Sequence, residues 1–411
     1  MTTASPPVTF RPLFTLPVIV AALGYFVDVY DLLLFNIVRV PSLKDLGLDD
    51  KQVSVIGGTV LNWQQAGLLL GGILWGILGD KRGRLSVLFG SIITYSLANI
   101  ACGFVQDANT YALLRFVAGL GLAGELGAGI TLVSEILPKE LRGYGTSLIA
   151  GVGLFGAVVA YFTVVLFDWR TTYFIGGGLG LMLLLLRVSV FESGMFLKIR
   201  EQAVQRGNFW SLFSNARRLG TYLRCMGLAV PTYFVIGILA TFSNEFGKAF
   251  GLAEPIAPGR AVMFTYIGMA VGDLVSGPLS QWFRSRRRAI GALMTLNLVF
   301  VLFYLFAGIS SVSLFYAVCV GLGFSIGYIA LFLTVSAEHF GTNLRSTATT
   351  SIANNVRATT LLTIPLFQTL KASVGVIGSA AIVGLICFVI SFWSLATLDE
   401  TYGKDLNYTE S

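Results

Sequence analysis

Charge is what this 411-residue chain has least of. Lys, Arg, Asp and Glu make up 12% of it, while 55% is hydrophobic and the mean hydropathy is +0.78. Soluble domains carry roughly 25% charged residues. A water-soluble core cannot absorb the excess of apolar side chains, so the chain reads as an integral membrane protein. Histidine is equally scarce: His339 stands alone. The four cysteines (Cys102, Cys225, Cys319, Cys387) lie in apolar stretches without metal-ligand spacing. They read as small packing residues, and neither a disulfide framework nor a metal site is implied. No nucleophile–base pair stands out, which argues against an enzyme, and a receptor would be expected to carry a soluble domain that is not seen. No cofactor and no nucleic-acid partner are expected. The start, MTTASPPVTFRPLF, lacks a basic n-region and a small-residue cleavage site, so the first apolar segment is expected to be a retained helix.

Apolar runs are what the chain has in abundance. At about 20 residues per span, runs bounded by charge, Pro and turn clusters predict helices near 13–40, 53–79, 86–105, 109–136, 143–167, 171–189, 221–248, 259–283, 289–308, 312–340, 345–371 and 374–397. With the N-terminus in the cytoplasm, nineteen of the 28 Lys and Arg fall on cytoplasmic segments, seven on the opposite side and two within spans. That bias predicts a multi-pass inner or plasma membrane protein with both termini inside, and it accounts for the net charge of +7. The basic stretch 190–220 separates two sets of six spans and reads as a solvated linker along the lipid headgroups. The expected domains are thus 1–189, the linker 190–220, and 221–411 with a short tail.

The two sets repeat one another. SEILPKELRGYGTS carries Glu135 and Arg142 seven apart, and AEHFGTNLRSTATTS carries Glu338 and Arg345 seven apart, 203 residues later. The basic loop GDKRGR (79–84) maps at the same offset onto WFRSRRR (282–288), and Gly119 and Gly121 match Gly321 and Gly323 within one residue. The expected fold is therefore an all-α polytopic membrane protein with 12 transmembrane helices, arranged as two six-helix bundles related by a pseudo-twofold axis.

At these residues the chain resembles the major facilitator superfamily over essentially its whole length. The carrying stretches are GILGDKRGR (76–84), RFVAGLGLAGELG (115–127), EILPKELRG (135–143), DETYGKDL (399–406) and DVYDLLLF in the first span. The nearest likeness is to the metabolite:proton symporter and sugar-porter-like branch. The resemblance implies movement of small organic solutes, often carboxylates, together with protons. It also implies a cytoplasmic gate of Asp80, Arg84, Glu135 and Arg142, with Glu338 and Arg345 as a weaker second copy. Three departures stand out. Position 283, the equivalent of Asp80, is Phe283, so only one copy is expected to make the acid-to-base contact. PTYFVIGILATFSNEF (231–246) lacks the double-Gln pattern of sugar porters, and GVGLFGAVVAYF (151–162) lacks the Gly-Pro pattern of drug antiporters, which tilts the reading toward uptake.

Ionisable side chains in mid-span cost at least about 2.5–3.5 kcal/mol each and tend to face a cavity or a partner. Asp28 lies about 21 Å along the first helix, and Asp31 follows at i+3 on the same face. Two such carboxylates hinder each other's ionisation, which suits proton coupling. The competing reading is a hydrogen bond to Asn36, Gln64 or Gln65. Arg115 and Glu125 share one side of the fourth helix and join the coupling candidates. Arg115 is placed to neutralise Asp28 or Asp31, either as a pair that breaks on protonation or as a static one. Arg357, about 18 Å deep, and Asn354 suit a carboxylate ligand. The alternative pairs Arg357 with Asp273 as a structural ion pair. Tyr233, Gln64 and Tyr328 are the neutral substrate-binding candidates, with Thr241, Asn244, Tyr266 and Tyr316 behind them. His339 reads as a solvated or capping residue. The favoured function is secondary active, proton-coupled symport by a monomer, and the alternative is a proton-coupled efflux pump for amphipathic compounds.

Overall fold

A computed structural model describes residues 10–187 and 206–410, and among these no strand occurs. The N half comprises α1 (Leu16–Asp45), α2 (Asp50–Arg82), α3 (Arg84–Cys102), α4 (Ala108–Ile136), α5 (Arg142–Leu166) and α6 (Trp169–Arg187). The C half begins with α7, which runs Ala216–Leu228, bends by 42° and continues over Val230–Ala240. It goes on through α8 (Pro258–Trp282), α9 (Arg286–Phe306) and α10 (Val312–His339) to the segment Arg345–Thr397. Gly375, with φ 73°, divides that last segment into α11 (345–374) and α12 (376–397). All twelve expected spans are present. The expected linker residues 190–205 lie outside the described residues.

Helix starts follow local chemistry. Asp49 and Gln52 form a reciprocal capping box at the head of α2. Asp107, Asn215, Ser285 and Ser311 accept backbone N–H groups at the heads of α4, α7, α9 and α10. The sequence reading missed the interior breaks. α4 is interrupted between Leu122 and Glu125, and α10 between Ile326 and Ile329, about one repeat apart. α11 passes through a 3₁₀ turn at Arg357–Thr359. Along the outer faces, apolar side chains stand open, Leu185 at 73% and Leu362 at 75% exposure. Hydrocarbon is the solvent that tolerates them.

Each half contains the same close crossing. α2 meets α4, and α8 meets α10, with glycine at the contact. A Cβ on Gly67 would overlap the Phe116 carbonyl of α4, and one on Gly268 would overlap the Val320 carbonyl of α10. Without lipid-driven hydrophobic association, such backbone approach supplies the packing. The two bundles meet through α2 on α11 and α5 on α8. The largest apolar core extends across this contact, joining α1, α4 and α5 to the C half.

Gly67→Val is expected to destabilise the detergent-solubilised protein by about 1–3 kcal/mol through overpacking. Gly58, whose Cβ would meet nothing within 4 Å, is the control. Gly58→Ala is expected to leave the thermal midpoint unchanged or raise it.

Candidate functional site

The first group of buried charges lies in the N half. Arg115 of α4 donates to the Asp31 carboxylate at 3.3 Å and to its backbone carbonyl at 3.3 Å. It also donates to Asn99 at 2.9 Å and to Gln64 at 3.4 Å, and its guanidinium lies over the Tyr173 ring. Asp31, Arg115 and Asn99 are wholly buried. One Asp31 oxygen, Oδ2, keeps no partner. Of the two acids proposed for Arg115, the structure selects Asp31. Gln64 is held on both sides, by Arg115 and by the Leu32 carbonyl at 3.3 Å, so it serves this cluster.

Glu125 opens the second segment of α4. It receives Arg187 of α6 at 2.6 Å and the Ser91 hydroxyl of α3. Arg187 also donates to the Leu88 carbonyl at 2.6 Å. The sequence reading did not single out Arg187. Only the packing of α3, α4 and α6 brings it to Glu125. Its visible signal was a lone cation closing the apolar run GGGLGLMLLLLR.

Asp28 is different. The residue is 2% exposed, and among the described residues its carboxylate makes no ion pair and leaves Oδ1 without a hydrogen bond. None of Asn36, Gln64 or Gln65 reaches it. The charged groups around it are Arg357, Glu125, Asp31 and Arg187. Arg357 sits in the 3₁₀ turn of α11, half-buried, and donates through Nε to the Tyr233 hydroxyl of α7 at 3.3 Å. Tyr25 of α1 and Tyr266 of α8 share its surroundings.

The expected alternative, an Arg357–Asp273 ion pair, is not formed. Asp273 instead accepts the Ala330 amide at 3.1 Å, at the head of the second segment of α10. Asn354 turns away from Arg357 because the regular helix ends at Asn355. Its amide donates to the Ala123 carbonyl at the break in α4, 3.0 Å away, and to Thr350. Tyr328 is fully buried and bonded to the Leu228 carbonyl at 3.1 Å. Tyr316 accepts the Ala257 amide, and Thr241 bonds its own helix.

A denser network closes the end that carries the α2–α3 loop. Asp80 pairs with Arg84 at 3.2 Å and accepts the Ser346 and Thr347 amides at 3.1 and 2.7 Å. It thereby caps α11, whose own N-cap residue, Leu344, offers no side chain. Glu135 takes both Arg84 at 2.8 Å and Arg345 at 2.9 Å. Arg84 reaches the Thr342 carbonyl of the other bundle, and Arg142 reaches the Lys404 carbonyl. Thr334 bonds Thr146, and Ser276 bonds Ser147. Among the described residues, the hydrogen bonds between bundles lie in this half of the molecule.

The second copy needs correcting. Although Phe283 replaces the acid, Arg286 pairs with Glu338 at 3.1 Å, the counterpart of Arg84 with Glu135. What Phe283 removes is the cross-bundle cap at the head of α5. His339 bonds the Val335 carbonyl, as expected of a capping residue. The tail joins in, since the Lys404 and Leu406 carbonyls receive Arg142 and Arg345.

A shell of twelve helices in two like halves, with charges buried along the seam, defines a polytopic membrane protein of the two-bundle class. The chain belongs to the Major Facilitator Superfamily, whose family model matches residues 21–359. It is similar to the niacin transporter NiaP of Acinetobacter baylyi, 33% identical over 38% of this chain and 36% of that protein. The chain thus spans about a third of that relative. It is also similar to a probable 4-methylmuconolactone transporter of Cupriavidus pinatubonensis, 24% identical over 92% of this chain and 89% of that one. In fold it matches the proton:xylose symporter XylE with a TM-score of 0.77 at 17% identity, over 96% and 97% of the two chains.

At the loop end, Glu400 accepts from the Ser285 hydroxyl and from the Arg286 and Tyr402 amides, each 2.9 Å away. Burial pushes its carboxyl up, but these donors outweigh it and hold it below the usual glutamate range. A depressed folded value means the stabilisation is present above the unfolded value, about 4.3, and is lost as pH falls through the folded one. Glu400→Gln is expected to lower the thermal midpoint at neutral pH and to flatten the acid side of the midpoint-against-pH curve. A variant curve parallel to wild type would contradict this.

Proposed function

We propose that the protein is a proton-coupled symporter that imports a small carboxylate-bearing solute by alternating access. The observation that carries this reading is Arg357, a half-buried guanidinium with a phenol but, among the described residues, no carboxylate partner, facing Asp28 between the bundles. A solute carboxylate supplies the missing anion and takes a bidentate grip. Ionised Asp28 competes for the same cation, so binding the solute favours a protonated Asp28. That competition couples proton to substrate. Asp31 with Arg115 is the second coupling pair, because protonating Asp31 frees Arg115. Glu125, already neutralised by Arg187, plays a lesser part. Tyr233 orients Arg357, and Asn354 holds the bundles together instead of binding solute.

On this reading the loop end is the cytoplasmic gate in its closed state, formed by Asp80, Arg84, Glu135, Arg142, Glu338 and Arg345. The described conformation then faces outward, with both termini in the cytoplasm of a cell that carries the protein in its plasma membrane as a monomer. The bundles 1–189 and 221–411 rock as units about the site. Relatives named for niacin and 4-methylmuconolactone support a carboxylate cargo, since both solutes carry that group.

In proteoliposomes, an inward proton gradient is expected to drive accumulation of nicotinate or benzoate as test solutes. Asp28→Asn should abolish accumulation and retain part of the exchange. If that variant concentrates solute as well as wild type, the coupling assignment is wrong. Arg357→Ala should weaken carboxylate binding by about 10–150-fold, the loss of a charged hydrogen bond worth about 1.5–3 kcal/mol. Thermal-shift titrations at two pH values read that change directly.

A further inference from the structure

Asp273 is a buried acid that the mechanism above does not use. It lies on α8, fully buried, where α10 breaks after Ile326. Its Oδ1 accepts the Ala330 amide at 3.1 Å with the Ile329 amide alongside, while its Oδ2 is buried without a partner. Among the described residues no ion pair includes it. α10 brings it only backbone amides, and α5 brings the Ser147 hydroxyl to Ser276, one turn away. α1 brings the Tyr25 phenol, which stands in the field of Arg357, Asp28, Tyr233 and Asp273 together. Among the described residues no neutralising cation reaches it. The break itself is tight, since a Cβ on Gly327 would stand 2.6 Å from the Asp273 amide nitrogen.

The segment that Asp273 caps leads to the gate. Ile329–His339 carries Thr334, bonded to Thr146 of the other bundle at 2.8 Å, and Glu338, bonded to Arg286 and Thr401. Glu338 is about 14 Å along the helix from Ile329. We propose that Asp273 is a proton-sensing positioning residue: its carboxylate caps the second segment of α10 and holds the cytoplasmic gate shut, and its protonation releases that segment. A carboxylate is favoured at a helix head, and a neutral acid loses most of that attraction. The proton enters from water on the open side, past Tyr25, and leaves on the other side once the gate has opened. The N half has the same lever, the segment Glu125–Ile136, but there Arg187 neutralises the acid at its head. Only the C-half lever is left free to respond to a proton.

The inference rests on the symport reading for its purpose, but its test needs no solute. All four native cysteines are buried, so spin labels can be directed to Glu140→Cys and Arg288→Cys, exposed positions of opposite bundles at the loop end. Distances between them are then measured in nanodiscs at about pH 8 and about pH 5.5. Wild type is expected to be mostly closed at the higher pH and to open at the lower. Asp273→Asn should show about five-fold more of the open population at pH 8, the scale of one lost charged cap, with little further change on acidification. Asp273→Glu should restore a pH response with a shifted midpoint. An Asn variant that matches wild type at pH 8 overturns the proposal, as does a wild type that does not move. Should the Asn variant fail to fold, an unshifted midpoint in Asp273→Glu overturns it equally. Failure of every carboxylate to be transported would sink the symport reading and leave these distances unaffected.

Discussion

A charge held among apolar helices persists only with a counter-charge and enough hydrogen bonds to replace water. This structure meets that demand pair by pair: Arg115 with Asp31, Arg187 with Glu125, Arg286 with Glu338, and Arg84 and Arg345 both on Glu135. Neutral groups take up the remaining donors, as Asn99 and Gln64 do for Arg115. Breaking such a pair by removing one partner costs about 3–5 kcal/mol. Four of these pairs lie within one bundle and fix its helices, whereas Arg345 with Glu135 joins two.

The groups left outside these pairs then acquire meaning. Among the described residues, Asp28, Arg357 and Asp273 are buried or half-buried without a partner of opposite charge in contact. None has a counterpart of the same type at the repeat offset: 28 maps to Pro231, 357 to Leu154 and 273 to Leu70. The duplicated elements are the crossings, the broken helices and the acid–base pairs at the loop end. A scaffold that is duplicated, with working charges that are not, divides motion from chemistry.

Much of this was legible in the sequence, and the limits have physical causes. Spans follow from length and apolarity, so all twelve could be placed from residues alone. The repeat followed from Glu135, Arg142, Glu338 and Arg345 at one offset, and the family from the loop motifs around them. The choice of Asp31 over Asp28 for Arg115 was not legible, because it depends on which faces of α1 and α4 meet. Arg187 was missed for the same reason, since its partner comes from a different helix. The break in α10 carries no proline and arises from the approach of Gly327 to α8. The role of Asp80 was half legible. Its use of a helix head followed from the dipole, but the head belongs to α11 in the other bundle.

The strength of the seam relative to the bundles decides whether such a molecule can rock. Crossings too close for a methyl group occur both within a bundle and across the seam, where a Cβ on Gly277 would overlap the Gly143 carbonyl; what sets the bundle interiors apart is their buried ion pairs. Across the seam the bonds are a shared carboxylate, one carboxylate cap, hydroxyl pairs such as Thr146 with Thr334, and backbone carbonyls. The neutral bonds among these contribute about 0.5–1.5 kcal/mol each, and those to a charged group about 1.5–3. A ligand that prefers one state by about 5.5 kcal/mol carries a two-state equilibrium from 1:99 to 99:1. Set against that scale, the seam's buried Arg345–Glu135 pair is costly to break, yet its loss would not strand the acid, because Glu135 also holds Arg84 of its own bundle.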